Sequence, residues 1–156
     1  MNKNDSYNWA NKRIRAQVER VVEDTAAFAN TAAILKEYFS YMFWLGFYFT
    51  RPEHLVLGPF QGPPACVKLS YDKGVCAAAV RERQTILVPN VHDFPGHVAC
   101  DSRSQSEIVV PIFGDDDTVV AVLDVDGAEL EAFDQIDVEG LEAVAVQLSA
   151  LFKKKT

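Results

Sequence analysis

Apolar positions recur along this chain with two different periods, and the change of period divides it. Trp9, Ile14, Val18, Val21 and Val22 recur at helical spacing, which predicts a helix from about residue 8 to 23. Asp24-Thr25 offers a cap for a second helix whose inner face is Phe28, Ala32, Leu35 and Phe39. Two helices thus fill about 8–39. Residues 42–50, MFWLGFYFT, then read as a strand buried on both faces or lining a pocket. His54 to Gly58 is expected to pair with it after the Arg51-Pro52-Glu53 turn. Gln61-Gly62-Pro63-Pro64 is a break, 65–69 a short strand, 74–83 a short alanine-rich helix and 86–88 another short strand. Strands at 107–113 and 118–126 flank the acidic turn Gly114-Asp115-Asp116-Asp117. Phe133-Asp134 opens a closing helix, about 134–152, with Ile136, Val138, Leu141, Val144, Leu148 and Leu151 as its apolar residues. This order predicts an α+β arrangement, an antiparallel sheet with helices packed on it. Between the strands lies a long loop, 89–105, and loops of that length inside compact domains usually carry function.

Composition narrows the picture without changing it. The 156 residues fit one domain, read here as 1–156, able to bury about 70% of the surface its unfolded chain exposes. The formal net charge is -7, with basic residues near the ends (Lys12, Arg13, Arg15, Arg20; Lys153 to Lys155, read as a solvated tail) and an acidic middle. An acidic body repels phosphate backbones, so nucleic acid is not an expected partner. The first residues are polar, with no apolar signal region, and no stretch reaches the roughly 18 apolar residues of a membrane span. The expectation is a cytoplasmic protein with no membrane association, in which cysteines stay reduced unless they work.

That makes Cys66, Cys76 and Cys100 the first residues to question. They are spaced by 10 and 24 positions, with no CxxC pair, and His54, His92 and His97 give no zinc-finger spacing, so no metal site is expected. Cys66 and Cys76 have apolar neighbours and read as small buried hydrophobes. Cys100 lies in a polar loop, with His97 and Arg103 each three residues away; a nearby cation favours the thiolate, while Asp101 opposes it. Asp124 and Asp126 are two apart in a strand and share a face. They are equally a solvent-facing pair before the Gly127 turn and a site for an ammonium group. Glu107 reads as an exposed strand end, and Trp44 and Tyr48 as a core aromatic pair.

Longer motifs add a resemblance. The stretch from Leu55 to Cys66, LVLGPFQGPPAC, is similar to a signature of the free methionine-(R)-sulfoxide reductases. So are Gly74-Val75-Cys76, the run VPNVHDFPGHVACD from Val88 to Asp101, Ser106-Glu107-Ile108-Val109-Val110-Pro111, Val122-Leu123-Asp124-Val125-Asp126 and the Phe133-Asp134 helix start. The likeness runs from about residue 30 to 148, and all three cysteines fall on the family's cysteine positions, which ordinary GAF domains lack. Two departures stand out: Ala77-Ala78-Ala79 where a glycine and a threonine are more usual, and Gly127 where a serine is common.

The resemblance implies a GAF fold with a loop-covered ligand pocket. It implies reduction of free L-methionine-(R)-sulfoxide, with Cys100 attacking the sulfoxide sulfur and passing through a sulfenic acid. Cys66 would then close a disulfide, with Cys76 as the alternative or auxiliary thiol, and thioredoxin would restore the dithiol. Glu107, Asp124 and Asp126 match the family's pocket acids, which would share the tasks of holding the substrate ammonium and protonating the sulfoxide oxygen. Trp44 and Tyr48 would pack the S-methyl group. No metal or organic cofactor is implied, and family members are often homodimers, with the first two helices as the interface. The rival expectations are a non-catalytic GAF small-molecule sensor, for whose output domain 156 residues leave no room, and a cysteine redox switch.

Overall fold

The computed structural model describes residues 1–153. Lys154 and Lys155, part of the expected basic tail, lie outside the described residues. The chain opens with α1 (Lys3–Glu19) and α2 (Asp24–Tyr38), followed by β1 (Met42–Thr50), β2 (Leu55–Gln61) and β3 (Lys68–Leu69). Then come α3 (Val75–Glu82), β4 (Ile86–Val88), β5 (Ser106–Phe113), β6 (Val119–Gly127) and α4 (Gln135–Ser149). The strands form one antiparallel sheet in the order β3-β2-β1-β6-β5-β4, so β6 lies at its centre between β1 and β5.

Alternation along the central strands divides the core between two sheet faces. On one face Leu45, Phe47, Ile108, Val110, Leu123 and Val125 pack against the helices α1, α2 and α4. On the other Trp44, Tyr48, Val109 and Val122 meet α3 and its flanking loops. The MFWLGFYFT strand is therefore buried on both sides because it has a helix layer behind it and a cavity in front.

Several sequence-based boundaries move. The first helix begins at Lys3 rather than near residue 8, because the Asn2 side chain accepts a hydrogen bond from the Asp5 N–H at 2.8 Å and caps the earlier start. Its first turns are also anchored. Tyr7 O–H donates to Asp137 at 2.7 Å, Lys3 Nζ lies 2.8 Å from the same carboxylate, and Tyr41 O–H donates to it as well. Asp137 is fully buried and shares a capping box with Asp134 at the head of α4, so one residue closes α4 and clamps α1. The expected Asp24-Thr25 cap is not made: Asp24 is the first residue of α2, and Glu23 precedes it without a side-chain bond. The strand expected at 65–69 shrinks to Lys68–Leu69, because the segment before it is drawn toward the cavity.

Candidate active site

The cavity face is built by register. Glu107 of β5 stands directly opposite Asp126 of β6, and Asp126 also faces Trp44 of β1. Asp124, two residues earlier on β6, sits between Gly46 and Val109. Three acids thus project from adjacent strands toward one space, with Trp44 and Tyr48 beside them and α3 and the 89–105 loop covering it. The cavity holds about 50 Å³, room for a few waters.

Like charges opposite one another in a sheet are destabilising, and burial makes the conflict worse. Glu107 and Asp124 are each only 6% exposed. The exposed strand end expected for Glu107 is therefore wrong, and so is the solvent-facing reading of Asp124: Pro89–Gln105 folds over them. Asp126 keeps part of its surface open. Burial first, then repulsion from Asp126, pushes the Glu107 carboxyl up to about 8. Burial and the neighbouring acids raise Asp124 and Asp126 as well. His97 Nε2 lies 3.7 Å from Glu107 Oε1, and burial lowers the imidazole's pKa, so it stands as a neutral neighbour rather than a counter-ion.

The loop is tied down at both ends. The Val91 N–H donates to the Gln105 carbonyl and the Gln105 N–H to that of Gly127, at 2.9 and 2.8 Å. Gly127 also has a steric reason: a Cβ there would lie 2.6 Å from both Ala132 Cβ and Ser106 Oγ, so this chain's neighbours leave no room for a serine without movement. At the other rim Gly74 has φ +96°, which favours glycine, and a Cβ there would crowd Val98 of the loop at 3.2 Å. Ala77, Ala78 and Ala79 are buried in α3, filling the position of the other departure with small side chains.

The cysteines are found in two states. Cys66 and Cys100 are joined by a disulfide with Cα atoms 5.6 Å apart, across 34 positions of sequence. Cys66 is half-buried and Cys100 exposed, so the reading of Cys66 as a buried hydrophobe fails. Its segment is held by the two aromatics: Tyr48 O–H donates to the Cys66 carbonyl at 2.8 Å and Trp44 Nε1 to the Pro63 carbonyl at 3.0 Å. Trp44 and Tyr48 stack at 6.1 Å and line the cavity, so they are more than a core pair. Arg103 does not serve as the cation expected near Cys100. Its guanidinium grips Asp101 through two bonds, 3.0 and 2.7 Å, drawing that carboxyl down to about 2, and lies over the Phe43 ring at 4.8 Å.

Cys76, at the start of α3, is the free cysteine and is buried. Burial and the surrounding acids hold its thiol well above the ordinary range, against the pull of the helix N-terminus. Its sulfur and one oxygen each of Glu107 and Asp124 lie within 4.8 Å of one another, a grouping able to hold a metal ion. Sequence spacing gave no hint of it, because the three residues come from a helix and two strands brought together only by the fold.

Comparison with known proteins follows the same lines. A GAF domain family model matches residues 19–153. The chain is 39% identical over 148 residues to the free methionine-R-sulfoxide reductase of Escherichia coli, covering 95% of this chain and 89% of that one. It is 49% identical over 113 residues to GAF domain-containing protein A of Dictyostelium discoideum, covering 72% and 70%. The crystal structure of the Neisseria meningitidis free methionine-R-sulfoxide reductase in complex with its substrate superposes with a TM-score of 0.93 at 40% identity, covering 97% of this chain and 91% of that one.

Proposed function

This chain belongs to the free methionine-R-sulfoxide reductases of the GAF family, and from that membership we propose that it reduces free L-methionine-(R)-sulfoxide to methionine by thiol chemistry at the acid-lined cavity. The observation that carries the reading is the Cys66–Cys100 disulfide at the rim of a cavity floored by Glu107, Asp124 and Asp126. Cys100, the exposed partner, is the nucleophile. Its thiolate attacks the sulfoxide sulfur, the oxygen passes to the cysteine as a sulfenic acid, and methionine leaves. The Cys66 thiol then attacks the sulfenic sulfur, a disulfide forms and the oxygen departs as water. A dithiol reductant of the thioredoxin class returns both cysteines to thiols by exchange.

The acids divide by environment. Glu107, with its carboxyl near 8, is protonated at neutral pH and donates a hydrogen bond to the sulfoxide oxygen as negative charge grows there. Asp124 and Asp126 receive the substrate ammonium, whose charge offsets their repulsion. Trp44 and Tyr48 pack the S-methyl group and fix the epimer, while their bonds to Pro63 and Cys66 position the resolving thiol. The enzyme works in the cytoplasm as a homodimer through its first two helices.

The test is incubation with each free methionine sulfoxide epimer separately, with a dithiol reductant, and assay for methionine. Turnover of the R epimer and little of the S epimer or of a peptide-bound sulfoxide is expected. Equal turnover of the free and peptide-bound forms would remove the ammonium site from the account.

A further inference from the structure

Cys76 is a buried thiol that the proposed reaction does not consume. Its sulfur and one oxygen each of Glu107 and Asp124 lie mutually within 4.8 Å, and all three residues are at least nine-tenths buried. A second observation points into the same space. Asp124 Oδ1 is buried without a hydrogen-bond partner, an orphaned acceptor where an unsatisfied carboxylate oxygen is costly. Among the described residues, His97 is the one basic side chain within ion-pairing distance of Glu107, with Nε2 3.7 Å from Oε1, and it stands outside the grouping.

Tetrahedral zinc holds sulfur at about 2.3 Å and nitrogen or oxygen at about 2.0–2.2 Å, which sets its ligand atoms roughly 3.3–3.8 Å from one another. The Cys76, Glu107 and Asp124 atoms, mutually within 4.8 Å, need to close by at most about 1.5 Å to reach such edges. One sulfur and two carboxylate oxygens, with water in the fourth position, suit zinc, where an all-oxygen set would suit magnesium or calcium. We propose that Cys76, Glu107 and Asp124 form a binding site for a thiophilic divalent cation of the zinc class on the cavity floor. The cavity, with room for a few waters, admits an ion of that size while the Cys66–Cys100 disulfide is closed. The ion takes Glu107 and Asp124 from the proposed substrate site and so competes with substrate, yet its binding is read without turnover and asks nothing of Cys66 or Cys100.

Oxidised protein, with Cys66 and Cys100 locked together, leaves Cys76 as the free thiol and makes the test clean. Calorimetric titration with zinc should give one ion per chain. Titration with cobalt(II) should give a thiolate-to-metal charge-transfer band in the near ultraviolet together with the visible bands of tetrahedral cobalt. Loss of a partner in a metal's outer shell costs about 10–100-fold in affinity, so Cys76→Ala, which removes a direct ligand, should weaken zinc binding at least a hundredfold and abolish the charge-transfer band. Asp124→Asn should weaken binding while leaving the band visible at saturation. Failure of oxidised wild type to bind zinc would overturn the proposal, as would cobalt binding without a thiolate band, which places the ion elsewhere. These wild-type outcomes decide the matter even if Cys76→Ala fails to fold.

Discussion

Replacing Glu107 with glutamine should stabilise the protein while disabling it, and the gain should grow with pH. In the folded chain the Glu107 carboxyl titrates near 8 against an ordinary 4.5. A carboxyl raised on folding contributes full stability below its unfolded pKa, and that contribution is lost as pH rises from 4.5 toward 8. Each pH unit in that window costs about 1.4 kcal/mol, so near pH 7 the wild type has given up about 3 kcal/mol that the glutamine variant keeps. Glutamine has nearly the same shape and cannot ionise. Urea unfolding of both proteins at several pH values from about 4.5 to 8 would show it: the variant level with the wild type at the acid end, then drawing ahead, with equal m-values. Sulfoxide reduction should fall at the same time, since the amide does not replace an acid proton on the leaving oxygen. Parallel stability curves, or a variant less stable across the whole range, would mean that Glu107 is ionised and paired in the fold, and the account of the cavity's acid would be wrong.

Three further outcomes are expected. Cys100→Ser should abolish methionine release even in a single turnover, whereas Cys66→Ser should release about one methionine per chain and stall, as rapid-quench analysis would reveal; a full burst from Cys100→Ser would move the nucleophile to another cysteine. Asp126→Asn should lower kcat/KM for free methionine sulfoxide by about tenfold to a hundredfold, the scale of a hydrogen bond to a charged group, with the circular dichroism spectrum unchanged. Reducing Cys66–Cys100 should lower the unfolding free energy by about 4 kcal/mol, the chain-entropy value for a loop of 34 residues, measured by urea unfolding with and without a dithiol reductant.

Much of the architecture was legible because period and burial agree. MFWLGFYFT, the β5 and β6 strands and the α4 stripe each expose their role through spacing alone. The start of α1 was half legible: its Asn2 cap is local, but its first turns are also held by Asp137, 130 positions from Tyr7, and no local window contains that partner. The acids were half legible. A period of two put Asp124 and Asp126 on one face, yet their burial depends on a loop folding over from 89–105, and Glu107 joins them only through the β5–β6 register. Arg103 looked like a cation for Cys100 by proximity, but its planar fork fits the Asp101 carboxylate two residues away. The Cys76, Glu107 and Asp124 grouping had no sequence signature at all.

The short span between Cys66 and Cys100 has a consequence for the protein's survival under oxidative stress. A sulfenic acid is a branch point: a thiol converts it to a recoverable disulfide, while a further molecule of peroxide carries it to sulfinic acid, from which a cysteine of this kind does not return. The two cysteines belong to one chain, their Cα atoms are 5.6 Å apart in the closed disulfide and the Cys66 segment is pinned by Trp44 and Tyr48, so capture of a Cys100 sulfenic acid requires no second molecule. Well-placed groups react as though one were present at effective concentrations of about 10⁵–10⁸ M, far above any peroxide level a cell experiences. Kinetic competition thus runs overwhelmingly toward the repairable product, and the chain can keep working under the oxidant load that creates its substrate.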